Sequence, residues 1–350
     1  MQSLPYAAVT NSHLSSVYEL YWKAFEAFRK VPEIRTVKDN DAYCGVLTGM
    51  LDEHLAVIPR LAMGVLEIQD VVQPDATDKF MTSMLRSRIS RRVIAQQHLS
   101  LTETFHSPWH FPDAKYDLDG PNDLVGEVLL RCNGKETIQK CASTITELMR
   151  KSYGSEVQLP EVRLQGHLDA TFPYTPSILE YIIGELLRNS IQATVEQQKH
   201  HNNSTASPIE VLICEAEQHV IIRISDKSGG VPRDLLPYLW SFTKGPRKEM
   251  RLENLNKVPK MAATMQELGV DVEDTSMTAP SEHSLTSLTS RPPDLKLGMG
   301  LPISRIYAEY WAGSLELHSL EGYGVDAFLQ IPKLGNKNER LATRASMDAI

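Results

Sequence analysis

The hydrophobic period changes partway along this 350-residue chain, and that change limits its fold more than any other feature. Up to about residue 153 apolar side chains recur every three or four positions, and beyond about residue 160 segments that alternate at every second position appear as well. A single all-helical or all-strand layer cannot satisfy both periods, so the sequence predicts an α+β protein of two parts. His13 to Lys30 carries Leu14, Val17, Tyr21, Phe25 and Phe28, and Ala42 to Val71 carries Leu47, Leu51, Leu55, Ile58 and Met63, with Pro59 expected to kink or divide it. Asp78 to Leu101 turns Met81, Leu85, Ile89, Val93 and Ile94 inward and leaves Arg86, Arg88, Arg91 and Arg92 as a solvated face. Lys135 to Lys151 is a fourth helix, through Ile138, Cys141, Ile145, Leu148 and Met149. None of the four can hide its stripe alone, so an N-terminal four-helix bundle is expected over residues 1–155.

In the second half, Glu161 to Gly166, Ile209 to Cys214 and Val220 to Ser225 read as strands. Ser314 to His318 and Val325 to Ile331 read as a closing hairpin across Glu321 to Gly324. Helices near Ser177 to Lys199 and Leu301 to Ala312 interrupt them, which suits an α/β sandwich with helices on one face of a mixed sheet over residues 156–335. The boundary is expected between Gly154 and Leu159. Residues 244–296 are polar and rich in Ser, Thr and Pro, with a weak helical patch near Met261 to Leu268, and are read as a lid inserted between two glycine-bearing motifs. Residues 336–350 form a short tail.

Composition narrows the function classes. Thirty-six Lys and Arg against 44 Asp and Glu leave a net charge of −8, a field that repels nucleic acid and anionic lipid. Cys44, Cys132, Cys141 and Cys214 form no Cys-x-x-Cys pair for zinc or redox work and read as scattered buried thiols of a reducing compartment. No apolar run approaches the roughly 18 residues of a membrane span, so a soluble protein is expected. The first Lys or Arg is Lys23, so no basic leader region or presequence is read at the N-terminus.

Three constellations could carry chemistry. Glu185 and Asn189 stand at i and i+4 of one helix, hence on one face, while Ile182, Ile183, Leu186 and Leu187 face the core. The amide can offer Mg²⁺ a neutral oxygen without repelling a triphosphate, and the carboxylate can take a proton from a nucleophile. Two solvated helix positions are the plainer reading of that pair alone. Asp226 ends the strand Ile221 to Ser225 just before Gly229 and Gly230, where an acid can accept an adenine amino proton and glycines allow close approach, although a simple turn has the same signature. Gly298 and Gly300 open the last helix and expose amide donors and the positive dipole end to phosphate, a weak signal by itself.

In this order, a Glu/Asn helix, an Asp-Gly-Gly strand end, a long polar insertion and a Gly-x-Gly helix start resemble the GHKL (Bergerat-type) ATP-binding domain of gyrase, heat-shock chaperone, histidine kinase and mismatch-repair ATPases. Within it the chain resembles the mitochondrial α-keto acid dehydrogenase kinases. The carrying residues are Ser87-Arg88-Ile89-Ser90 through Gln97-His98-Leu99, Gly166-His167 to Phe172-Pro173, Glu185 to Asn189 with Ala193 to Glu196, Gly300 to Arg305 with Ala308-Glu309-Tyr310, and Ser319 to Gly324. The likeness runs from about residue 40 to 332; some stretches look more like the branched-chain kinase and others more like the pyruvate dehydrogenase kinases.

The resemblance implies an ATP- and Mg²⁺-dependent protein-serine kinase that phosphorylates and inhibits the dehydrogenase component of such a complex in the mitochondrial matrix. It further implies a lipoyl domain as partner and a homodimer or heterodimer. Glu185 would be the general base with His98 as its neighbour, Asn189 the Mg²⁺ ligand and Asp226 the adenine reader. Thr243, Gly298, Gly300 and Leu301 would line the phosphate side, and Arg188, Gln192 and Gly230 join the nucleotide-binding set. The family's Asp-Arg-Gly-Gly-Gly appears here as Asp226-Lys227-Ser228-Gly229-Gly230. Lys296 replaces the first glycine of the Gly-x-Gly-x-Gly stretch, and Val325 replaces the threonine after the last turn. Lys296 could compensate by offering a charge to phosphate, whereas Ser228 and Val325 would weaken nucleotide binding, and the departures together keep open a catalytically weak or dead scaffold that binds lipoyl domains or an active kinase. A chaperone-type or repair-type ATPase is a third class, against which the preceding bundle argues.

Overall fold

The computed structural model describes residues 6–106, 124–154, 157–201, 206–244, 250–251, 253–254 and 296–333. The expected helical patch at Met261 to Leu268, most of the lid and the tail lie outside these residues. The chain divides into two compact units, one within Met1–Glu127 and Ser241–Leu288, the other within Val128–Trp240 and Thr289–Ile350. Among the described residues, no helix is long and apolar enough to cross a membrane.

The first unit is helical: α1 Tyr6–Val9, α2 Ser12–Arg29, α3 Val37–Glu53, α4 Val57–Glu67 and α5 Pro74–His106, with a short strand β1 at Leu124–Val125. Local chemistry sets the helix starts. Asn11 caps α2 by accepting from the amides of His13 and Leu14, and Thr36 with Asp39 forms a reciprocal capping box at α3. The division expected at Pro59 falls earlier, in a 3-10 turn at His54–Ala56. Pro59 sits in the first turn of α4, where its missing N–H would have had no helical partner anyway. Leu47, Leu51 and Ala95 form a core cluster joined by Phe28, Tyr43, Met50 and Leu99.

The stripe of α5 departs from expectation. Met81, Leu85 and Ile89 are buried as predicted, but Ile94 is 65% exposed and Arg88 is buried. Arg88 follows Met81 by seven residues and Leu85 by three, which returns it to the buried face, where its guanidinium donates to the carbonyl of His54 at 2.9 Å. The arginine run is therefore not one solvated face, and Arg91 stacks on the ring of Tyr21, 4.4 Å from its centroid.

The second unit contains β2 Val128–Asn133, α6 Gly134–Tyr153, β3 Val162–Gly166, β4 Thr171–Tyr174, α7 Pro176–His201, β5 Ile209–Glu215, β6 His219–Asp226, α8 Gly300–Tyr310, β7 Ser314–Leu320 and β8 Gly324–Pro332. Helix α6 corrects the bundle expectation, because it belongs to this unit and packs on α7. Of its predicted stripe, Ile138, Cys141, Ile145 and Met149 are buried and Leu148 is half-buried, and Lys140 meets Glu180 of α7 at 2.7 Å. Amphipathicity had identified a helix needing a partner but not which partner. β2 pairs antiparallel with β4, aligning Cys132 with Phe172. The expectation of buried thiols is met only at Cys132 and Cys141; Cys44 is half-buried and Cys214 exposed. The larger sheet runs β3-β5-β6-β8-β7, parallel between β3 and β5 and antiparallel elsewhere. Its inner face is built from Ile209, Val211, Ile213, Val220, Ile222, Ile224, Leu315, Ala327, Leu329 and Ile331, all buried, and α7 and α8 pack against the sheet and each other. Each large aliphatic side chain hidden there contributes about 1.5–3 kcal/mol of transfer free energy. That core holds α7, the end of β6 and the start of α8 in register.

Candidate active site

Helix α7 supplies the first group. Ile182, Ile183, Leu186 and Leu187 are at most 3% exposed and anchor the helix to the core, which fixes the azimuth of Glu185 and Asn189. Glu185 is itself 0% exposed, whereas Asn189 one turn later is open to solvent. Arg188 and Gln192 are buried beside them. The carboxylate lies directly under the start of α8: a Cβ placed on Gly300 would fall 3.0 Å from Glu185 Cδ and closer still to Oε2. A side chain at position 300 would thus occupy the space of the acid, so glycine is needed there for contact as well as for exposing amides.

The segment leading into α8 is held on both sides of Gly298. Leu297 and Met299 are buried, while Gly298 takes φ +68°, a conformation that favours glycine. The helix begins at Gly300 without a side-chain cap, so the amides of Gly300 and Leu301 sit at the positive end of its dipole, ready for an anion.

The third group, Asp226, is buried at the end of β6. One of its carboxylate oxygens, Oδ1, accepts from the amide of Ser228 at 3.1 Å and from the Ser228 hydroxyl. Glycines close this corner. Gly322 donates to the carbonyl of Gly229 at 2.7 Å and Gly229 donates to that of Tyr323 at 3.2 Å. Gly230 is at φ +75°, and a Cβ on it would crowd the Leu320 carbonyl carbon at 2.8 Å. A Cβ on Gly324 would fall 3.0 Å from the Asp226 carbonyl carbon. The loop after β6 and the β7–β8 turn therefore interlock backbone to backbone. Where the family carries threonine, Val325 stands, and the Ser225 hydroxyl instead bonds Asp326 across the strands.

The remaining expected residues belong to the first unit. His98, on α5, places Nε2 3.0 Å from Asn40 Oδ1, with its ring edge-on to Tyr43. Thr243 is 1% exposed, with its hydroxyl 3.5 Å from Asp78 Oδ1. The same Asp78 carboxylate accepts from the Ser241 hydroxyl at 2.6 Å and from the Phe242 amide at 2.9 Å. Lys244 pairs with Asp75 at 2.5 Å, and Arg251 donates to the Phe242 carbonyl at 2.6 Å. Two carboxylates at the start of α5 thus grip the segment that opens the polar insertion. Sequence reasoning had no signal for them, because the pairs are separated by more than 160 positions.

Glu185, buried beneath the uncapped start of α8, and Asp226, at a glycine-locked strand end, are candidates for a base and a hydrogen-bond acceptor, and the amides at the helix start are candidates for holding an anion. Comparison with known proteins agrees in class. The profile of the family described as mitochondrial branched-chain alpha-ketoacid dehydrogenase kinase matches residues 1–129. The mitochondrial [pyruvate dehydrogenase (acetyl-transferring)] kinase 2 of Saccharomyces cerevisiae is 32% identical over 97% of this chain and 74% of its own length. The mitochondrial [pyruvate dehydrogenase (acetyl-transferring)] kinase of Arabidopsis thaliana is 27% identical over 97% of the chain and 81% of its own, and human isozyme 4 is 26% identical over 96% and 72%. The chain belongs to the mitochondrial α-keto acid dehydrogenase kinase family, whose members are protein-serine kinases. Kinase kinship implies use of ATP.

Proposed function

We propose that the protein is an ATP-dependent serine kinase for the dehydrogenase component of an α-keto acid dehydrogenase complex, pyruvate or branched-chain, in the mitochondrial matrix. Phosphorylation would lower that complex's activity, and a lipoyl domain and a second kinase subunit would be its other partners. The single observation that carries the proposal is the position of Glu185, buried on α7 beneath the glycine start of α8. The helical unit and the α/β unit would correspond to the bundle and the GHKL-type ATP domain of the family.

Adenine would be read by Asp226, with Gly230 admitting the ring to the strand end. Phosphates would lie on the amides at Gly298, Gly300 and Leu301, with Arg188 and Gln192 supporting that side, and Thr243 takes its place in the nucleotide-binding set from the resemblance. Mg²⁺, when bound, neutralises phosphate charge. The donor set suits it, since Asn189 offers a neutral oxygen from an exposed position on the face that carries Glu185. Glu185 would accept the proton of the substrate serine as its oxygen bonds the γ-phosphorus and the β–γ bridging oxygen leaves with ADP. His98 takes its role as neighbour of that base from the resemblance; within its own unit Asn40 orients the ring.

Glu185→Gln keeps the shape and removes the base. The expected result is phosphoryl transfer to a purified dehydrogenase component slower by about 10²–10⁴-fold, with ATP affinity retained. Transfer at the wild-type rate would remove Glu185 from that role. Ser228 and Val325 favour a second reading, a weak or inactive scaffold, for which the wild-type chain itself would transfer no phosphate to either dehydrogenase component.

A further inference from the structure

Lys296 stands where the family carries a glycine, and its side chain has a defined place. Its Nζ lies 2.5 Å from Glu196 Oε1 on α7. Glu196 shares a face with Glu185, because residues 185, 189, 192 and 196 follow one another at spacings of four, three and four. Eleven residues of helix separate the two acids by about 16 Å along the axis. At the other end of the same short segment, Gly300 rests on Glu185. Four residues of extended backbone reach about 13 Å at most, and the long lysine side chain covers the remainder. Residues 296–300 therefore form a strap running antiparallel to α7, pinned by Lys296 on Glu196, by buried Leu297 and Met299, and by Gly300 on Glu185. Asn189 and Gln192 fall between the two acids on that face.

The two ends of the strap differ in strength. Leu297 and Met299 are inside the protein, but both partners of the ion pair keep part of their side chains in water, and such pairs add little net stability. A triphosphate carries several negative charges against one on Glu196, so the ammonium of Lys296, on a long side chain that can swing along the strap, would gain by exchanging partners.

We propose that Lys296 is a specificity-determining residue for the nucleotide's terminal phosphate, held in reserve by Glu196 and transferred to the phosphate when nucleoside triphosphate binds. The proposal rests on the nucleotide reading of the site. It gives this chain a charge in place of the conformational freedom of a glycine, and it makes affinity depend on phosphate number.

Calorimetric titration of the full chain with Mg-ATP, Mg-ADP and adenosine tests it, using wild type, Lys296→Met, Lys296→Arg and Glu196→Gln, each checked for folding by its thermal melt. Lys296→Met should weaken ATP by about tenfold, ADP by less and adenosine not at all. Lys296→Arg should restore the preference for ATP. Glu196→Gln, which removes the competing carboxylate, should tighten ATP. If Lys296→Met and Glu196→Gln instead weaken all three ligands together, the pair is a staple of the strap and the proposal is wrong. A folded wild type that binds none of the three refutes the nucleotide reading and takes the proposal with it. Binding of all three with ATP affinity unchanged in Lys296→Met overturns the proposal and leaves the nucleotide reading standing.

Discussion

Replacing Gly300 by alanine adds one methyl group at the point where α8 meets the proposed base. The added Cβ would stand 3.0 Å from Glu185 Cδ and 3.5 Å from Cγ, with Oε2 nearer than either. Carbon atoms settle at about 3.5–4.0 Å, so the carboxylate or the helix start has to give way by about 0.5–1 Å. Two terms oppose each other in stability. Alanine is the better helix former by about 1 kcal/mol, whereas overpacking a filled site costs about 1–3 kcal/mol. The atoms in the way are the end of a side chain and not backbone, which puts the cost at the lower end, and the net change should be a loss of no more than about 2 kcal/mol. Catalysis should suffer far more, because the displaced atoms are the ones that would take the serine proton. A misplacement of that size costs on the order of 10²-fold in rate. The measurement pairs single-turnover phosphorylation at saturating ATP with urea denaturation of the same preparation. A Gly300→Ala enzyme within threefold of the wild-type rate, whatever its stability, would refute the requirement for contact between Gly300 and Glu185.

Two further outcomes can be measured on stability alone. Asp78→Ala leaves the Ser241 hydroxyl and the Phe242 amide without their acceptor, so chemical denaturation should show a loss of about 1–3 kcal/mol for each group that water cannot reach; an unchanged midpoint would mean that the clamp on the insertion contributes nothing. Burial, reinforced by Glu180, pushes the Cys141 thiol up to about 12. A thiol pKa raised in the folded state contributes stability that is whole below the unfolded value and is lost as pH rises toward 12. Denaturation midpoints should therefore fall between pH 9 and 12, and by less in Cys141→Ala; in the native protein at pH 8 exposed Cys214 should react with a thiol reagent while Cys141 does not.

Much of the site could be read along the chain because its parts are local. The i,i+4 spacing of Glu185 and Asn189 fixes a shared face whatever the helix packs on, and the apolar residues between them decide which face is turned inward. Asp226 follows an uninterrupted strand pattern, and Gly298 needs its glycine for a backbone angle that side-chain-bearing residues avoid. Such features depend on a few neighbouring residues. The charge of Arg88 points to exposure, but its spacing from Met81 and Leu85 puts it on the inner stripe, where the structure buries it.

Period and spacing by themselves determined the α+β class, the long helices and the five strands of the larger sheet, but carried no signal for β2 and β4, and they offered the carboxylate, amide and glycine positions only as weak candidates that the family resemblance singles out. Which elements associate was decided only in three dimensions. An amphipathic stripe states that a partner exists without naming it, so the pattern of α6 suits a bundle as well as it suits α7, on which the helix packs. The grip of Asp78 on the Ser241 segment, the closure of Gly300 over Glu185 and the pairing of Lys296 with Glu196 join residues 100 or more positions apart. Such pairs have no period, because a hydrogen bond or an ion pair depends on distance in space, and only the packing of the core brings those positions within reach.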